Sequence, residues 1–149
     1  MFVYPAAFTP DEADGGFVVT FRDVPEAITQ GDTVAECLLE AADCLEEAIA
    51  ARIYNGEDIP EPSDALEGEH PVSLPAHTAV KAVIYLAMRE RGLSQADLSR
   101  RLAINEKEVR RILDPHHKTK LPRMEQALAA MGKQLQVSIS DIENSARAA

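Results

Sequence analysis

Residues Leu93 to Asp114 read LSQADLSRRLAINEKEVRRILD. Apolar side chains fall at Leu98, Leu102, Ile104, Val109 and Ile112, a spacing that lets two short helices bury a shared seam across a three-residue turn. The pattern predicts a helix-turn-helix, with a first helix from Gln95 to Leu102 and a second beginning after Asn105. Ser94 can accept a free backbone N–H of the first helix. Asn105 and Glu108 have the form of an N-cap and its reciprocal partner. Ala103 occupies the turn position where glycine supplies a positive φ without strain, so alanine there either carries a cost or the turn differs.

The polar face of the second helix carries Glu106, Lys107, Arg110 and Arg111. Such cations attract phosphate, and a guanidinium can pair with a guanine edge in a major groove. Lys107 and Arg110, one turn apart, are the candidates for base contact, and Gln95 for a phosphate or an adenine edge. Arg111, Lys118, Lys120 and Arg123 are expected to meet phosphates. Arg100 and Arg101 read as solvated surface charges.

Working outward, a chain of 149 residues with 46% hydrophobic content suits one ordinary domain or two small ones. No apolar run reaches membrane-spanning length, and MFVYPAAFTPDE has no basic segment ahead of a hydrophobic core, so the cytoplasm is the expected compartment, with no membrane partner. The net charge of −10 conceals a division. Residues 1–70 hold 2 basic and 17 acidic side chains (−15), and residues 71–149 hold 13 basic and 8 acidic (+5), which together give the −10. An acidic half favours a basic protein partner and a basic half favours nucleic acid. The boundary is set between residues 1–75 and 76–149.

In the first unit, Phe2 to Phe8 and Phe17 to Arg22 alternate with period two around the turn-rich loop TPDEADGG, which predicts a hairpin. Pro5 offers no N–H, which predicts an edge or bulged first strand. Asp23 to Gly31 reads as a loop. Thr33 and Glu36 form a capping-box pair opening a long helix, whose apolar stripe is Val34, Leu38, Ala41, Leu45, Ala48, Ile49 and Ile53, and Asn55-Gly56 closes it. Cys37 and Cys44 are expected to be buried thiols, too distant along one helix to bridge. After an acidic, proline-containing connection, Pro71 to Pro75 is a short third strand.

In the second unit, Ala76 to Arg91 is a helix with Ala79, Val80, Val83, Ile84 and Ala87 on its apolar side, ended by Gly92. Pro122 to Met131 is a last helix, with Leu121, Met124, Leu128 and Met131 facing the core. Leu135, Val137 and Ile139 then alternate with polar residues as a strand. A lone strand leaves its backbone unsatisfied, so pairing with a second copy across a two-fold axis is expected.

The segments YPAAFTPDEADGGFVVTFRDVPEAITQGDT, EDIPEPS, HPVSLP and MGKQLQVSIS, together with the helix-turn-helix, resemble the HicB antitoxins over nearly the whole chain. The most specific parts are Thr29-Gln-Gly-Asp32, Ile59-Pro-Glu-Pro62 and the presence of the second unit. Glu26 departs from the pattern, since many relatives have glycine there. The resemblance implies an α+β protein: a truncated ribonuclease-H-like unit of a small antiparallel sheet with one helix, followed by a helical DNA-binding unit with a terminal dimerising strand. It also implies a partner, a HicA-type basic toxin with a double-stranded-RNA-binding-like fold that cuts messenger RNA with a catalytic histidine, and repression of the chain's own operon.

Other chemistries fit less well. Two-metal phosphodiester hydrolysis in a ribonuclease-H-like fold takes an aspartate from the first strand, and Met1 to Phe8 contains no acid. Catalysis would require Asp11 to Asp14 to cluster with Asp23. His116-His117 lie on an extended loop, where adjacent side chains diverge, so phosphate contact is favoured over metal binding. No cofactor or metal is expected. The main rival is a stand-alone transcription regulator whose acidic unit senses a ligand or dimerises.

Overall fold

A computed structural model describes residues 1–142. The described residues form an α+β structure of four antiparallel strands and five helices. β1 (Val3–Pro10) and β2 (Phe17–Phe21) form the expected hairpin, with Ala6 opposite Phe21 and Phe8 opposite Val19. Its turn is held by Asp11, whose backbone N–H donates to Gly16 O and whose Oδ1 accepts from the Ala13 N–H. At Gly16 (φ 71°) an added Cβ would lie 2.5 Å from the Gly31 carbonyl oxygen, so the position excludes any side chain.

Two expectations are corrected in the sheet. Ile28–Gly31, read as loop, is a strand, β3, paired with β2 through Val19 opposite Thr29. β1 is neither an edge nor bulged, because the strand order is β3-β2-β1-β4, with β4 being His70–Ser73. The register explains how Pro5 is tolerated. Pro5 faces Pro71, and three pairs along the same ladder, Phe2 and Leu74 are bonded, from Leu74 N to Phe2 O. Alternation along an antiparallel ladder then makes Pro5–Pro71 a non-hydrogen-bonded pair. The Pro5 nitrogen points towards the β2 side, beyond the Ala6–Phe21 pair that ends that ladder, so no ladder bond is lost.

α1 (Val34–Asn55) covers one face of this sheet. Thr33 accepts from the Glu36 N–H, Glu36 accepts from the Asp32 N–H, and Gly56 caps the other end in the left-handed region. Cys37, Ala41, Leu45, Ile49 and Ile53 are buried with Tyr4, Ala6, Val19, Phe21 and Val72. The predicted stripe holds from Ala41 to Ile53, with Leu38 and Ala48 half-buried; only its first residue, Val34, is exposed, and Ala50 joins the core beside it. Cys44 is only half-buried, and both thiols are free.

α2 (Ala76–Arg91), α3 (Gln95–Leu102), α4 (Glu106–Leu113) and α5 (Leu121–Ala130) follow. α2 buries Ala82, Ile84, Tyr85, Ala87 and Met88, together with Thr78 and Lys81, while Ala79, Val80 and Val83 are half-buried. Leu121, assigned to the core from its spacing, is 47% exposed, and Ala127 takes a core place instead. The two halves share one apolar core. Polar links join them as well: Thr78 donates to Glu46 (2.7 Å), Tyr85 to Glu57 O (2.7 Å) and Arg89 to Gly56 O (2.7 Å). Residues 133–142 form no helix or strand; Leu135 packs on the core, while Val137 and Ile139 are 79% and 95% exposed.

Candidate nucleic-acid interface

α3 spans the residues its spacing predicts and α4 begins where expected, after Asn105, and local polar chemistry fixes their starts. Ser94 accepts from the Asp97 N–H (3.0 Å) while Asp97 accepts from the Ser94 N–H (2.8 Å), a complete capping box. Asn105 Oδ1 accepts from the Glu108 N–H (2.9 Å). Ala103 adopts φ 54°, ψ 43°, so the left-handed turn forms without its glycine, and Ala103 is the only non-glycine residue with positive φ among the described residues. Beside it, the Ser99 hydroxyl donates to Ile104 O. Leu98, Val109 and Ile112 are buried and Leu102 and Ile104 half-buried along the seam.

The predicted contact residues separate into two groups. Arg111, Lys118, Lys120 and Arg123 line one depression of about 280 Å³ with His117 and Thr119. Gln95 and Arg110 line a different and larger cavity of about 650 Å³, whose opposite wall is the end of α1: Glu47, Ala51 and Tyr54. Lys107 is exposed and lines neither. Arg110 and Arg111 are neighbours on one short helix and so point about 100° apart, which divides them between the two hollows.

His116 was expected at phosphate. Its Nε2 instead lies 3.1 Å from both carboxylate oxygens of Glu47, across the larger cavity, and Asp114 Oδ1 is 3.5 Å from its Nδ1. Glu47 raises the His116 pKa above its ordinary value, opposed by burial and with lesser help from Asp114 and Glu46.

One residue behind the basic depression is not visible in the sequence pattern. Lys81, in the middle of α2, is fully buried. Its Nζ donates to Arg111 O (2.8 Å), Asp114 O (2.6 Å) and Thr119 Oγ1 (2.8 Å). All three donors of the ammonium are therefore matched, two of them by carbonyls at the C-terminal end of α4, where a cation is favoured. Burial pushes the Lys81 pKa down to about 8, opposed by Asp114.

In the acidic half both cations are already occupied. Arg22 pairs with Glu69 (3.1 Å), and Arg52 pairs with Glu26 (2.5 Å) and donates to Asp58 O (2.8 Å). Glu26, the departure from the family pattern, thus ties the Asp23–Ala27 turn to the end of α1, and Arg52 holds its carboxyl below the ordinary range. Asp23 accepts from both Ser63 N (2.8 Å) and Ser63 Oγ (2.7 Å), and Asp11 accepts within its own loop. Among the described residues no three His, Cys, Asp or Glu side chains converge as a metal would require, and no helix is long and apolar enough to cross a membrane.

Comparison with known proteins defines the class. Residues 3–83 match the profile of the HicB-like antitoxin of bacterial toxin–antitoxin systems. The chain belongs to the HicB-like antitoxin family. It is 36% identical over 132 residues to Antitoxin HicB of Escherichia coli strain K12, covering 89% of this chain and 95% of that one. It is 38% identical over 136 residues to Antitoxin HicB 1 of Photorhabdus laumondii (91% and 86% covered). It is also 33% identical over 141 residues to Antitoxin HicB of Pseudomonas fluorescens (93% and 94% covered).

Proposed function

We propose that this antitoxin neutralises a HicA-type messenger-RNA-cleaving toxin with its acidic unit, residues 1–75, and represses its own operon with residues 76–149. The first unit is read as a truncated ribonuclease-H-like fold. The second is read as a helix-turn-helix domain that docks α4 in the major groove. A toxin that grips RNA presents cations, and a unit of charge −15 whose Arg22 and Arg52 are both engaged by carboxylates competes for them. The observation that carries the DNA reading is the meeting of Arg111, Lys118, Lys120 and Arg123 around one depression beside α4. Those four serve as phosphate contacts, with Lys107, Arg110 and Gln95 reaching base edges or adjacent phosphate. Both activities belong in the cytoplasm. A tight operator complex takes a homo-oligomer, built by the segment Leu135, Val137 and Ile139.

A second reading, a stand-alone regulator whose first unit senses a ligand, draws on the cavity of about 650 Å³ between α1 and α4. Co-expression with the product of the adjacent reading frame separates the two. Co-purification of a small basic protein, together with retardation of upstream DNA, supports the antitoxin–repressor. DNA retardation with no co-purifying partner supports the ligand-responsive regulator. Loss of both removes the DNA reading.

A further inference from the structure

We propose that Lys81 is the positioning residue of the basic face: by joining Arg111 O, Asp114 O and Thr119 Oγ1 from behind, it holds the end of α4 and the loop Pro115–Lys120 in one frame, so that Arg111, Lys118, Lys120 and Arg123 meet. A buried lysine is costly unless paired, and here it has no carboxylate within bonding distance; two backbone carbonyls and a hydroxyl take its three protons. Each acceptor belongs to a part that carries a phosphate-contact candidate. Arg111 supplies its own carbonyl, Asp114 ends α4, and Thr119 sits between Lys118 and Lys120. Thr119 also donates to Arg111 O (3.1 Å), so helix end and loop meet at a single point, with Lys81 beneath it. The rest of the loop is held by short-range bonds, His117 N to Asp114 O and Thr119 N to His117 O, both 3.0 Å, and at its start by the His116–Glu47 pair, which ties it to α1 and not to the basic face. Without the ammonium the carbonyls of Arg111 and Asp114 lose a buried donor, and the loop loses its tie to α2.

This rests on the DNA reading above, so the test has one arm that needs no DNA. The first arm is amide hydrogen exchange of His117 and Thr119 in the full chain. Lys81→Met is expected to raise exchange there at least tenfold while α1 amides keep their protection, and Thr119→Val is expected to act in the same direction by a smaller factor. The second arm is binding to a duplex taken from the DNA upstream of the coding sequence, measured across salt concentrations. Lys81→Met is expected to lose tenfold or more in affinity and to flatten the log–log salt slope by about 2, as two phosphate contacts are lost. Lys118→Ala is expected to flatten the slope by about 1 without altering exchange at Thr119. Unchanged loop exchange in both Lys81→Met and Thr119→Val overturns the clamp, and so does a parental salt slope in Lys81→Met. If the parent chain does not bind the duplex, the DNA reading fails, and the exchange arm alone decides whether Lys81 orders the loop. If Lys81→Met does not fold, Thr119→Val carries both arms.

Discussion

Glu47 on the acidic helix and His116 on the basic loop face each other at 3.1 Å, although 69 positions separate them in sequence. The pair crosses the cavity whose walls include Gln95 and Arg110, and it is the point where carboxylates of the first unit reach the loop next to α4. Its strength depends on the charge of an imidazole and therefore on ordinary pH.

Because the His116 pKa is raised in the folded state, the pair's contribution is complete below about pH 6.5, the ordinary value, and is lost as pH rises through the folded value. The pair is well exposed, so its share of stability is no more than about 1 kcal/mol. An NMR titration of His116 is expected to give a pKa above the ordinary value in the parent chain and a lower one in Glu47→Gln. Coincident titration curves would remove the pair from solution.

Leu45 and Leu39 lie on the same helix with opposite fates, at 0% and 72% exposure. Leu45→Asp forfeits about 2 kcal/mol of burial and places a carboxylate in the core, so loss of the folded state in urea unfolding is expected. Leu39→Asp is expected to remain within about 0.5 kcal/mol of the parent. Equal effects would mean that the helix does not lie on the sheet by the Leu45 face.

On the nucleic-acid side, Lys107→Ala and Arg110→Ala are each expected to weaken operator binding by about 1 to 3 kcal/mol where a base is contacted. Lys120→Ala is expected to act equally on all sequences and to reduce the salt slope by about 1. Gel-shift titrations on operator and random duplexes separate these outcomes. An Arg110→Ala loss that is equal on both duplexes would make Arg110 a phosphate contact, and no loss on either would leave it as part of the cavity wall towards α1.

Val137→Pro tests assembly. Val137 and Ile139 stand in solvent on a segment without secondary structure of its own, and pairing with a second copy would give both a covered face. The substitution removes a ladder donor and is expected to abolish dimers, measured by sedimentation, with the acidic unit still folded. An unchanged sedimentation profile would place self-association elsewhere. Leu135 contributes less to such an interface than its spacing suggests, since it already packs on its own core.

Tyr4 gives a prediction at alkaline pH. Its hydroxyl donates to Pro60 O (2.7 Å), and burial, helped by Asp23 and opposed by Arg52, pushes its pKa up to about 12. A raised tyrosine pKa favours the neutral, folded form, so its contribution is intact below about pH 10 and disappears as pH climbs towards 12. Unfolding monitored against pH is expected to show that loss in the parent chain and not in Tyr4→Phe, which instead lacks about 1 kcal/mol at neutral pH.

The elements legible in the sequence are those whose signal is local. The seam Leu98–Ile112, the caps Ser94 and Asn105, and the stops Gly56 and Gly92 set helix ends to the residue, because periodicity and capping act within a turn or two. β3 escaped because Ile28-Thr-Gln-Gly31 has one large apolar residue, and that residue is 60% exposed; the strand exists through its pairing with β2. The placement of Pro5 failed for the same reason: what a proline costs depends on which way its nitrogen faces, and that is set by register. In the site, the charges of Arg111, Lys118, Lys120 and Arg123 could be counted, but their convergence depends on Lys81, which reads as an ordinary helix lysine until the tertiary fold places three oxygens around it.

The pairing of Pro5 with Pro71 has a further consequence on the outer side of β4. Since the two form a non-bonded pair, the backbone of Pro71 is directed away from β1, towards the free margin of the sheet. That margin is short and offers a carbonyl with no N–H where an incoming strand would seek one. Stacking of chains edge to edge, the route by which open sheets grow into insoluble fibres, is therefore discouraged on this side by the same residue that completes the fold.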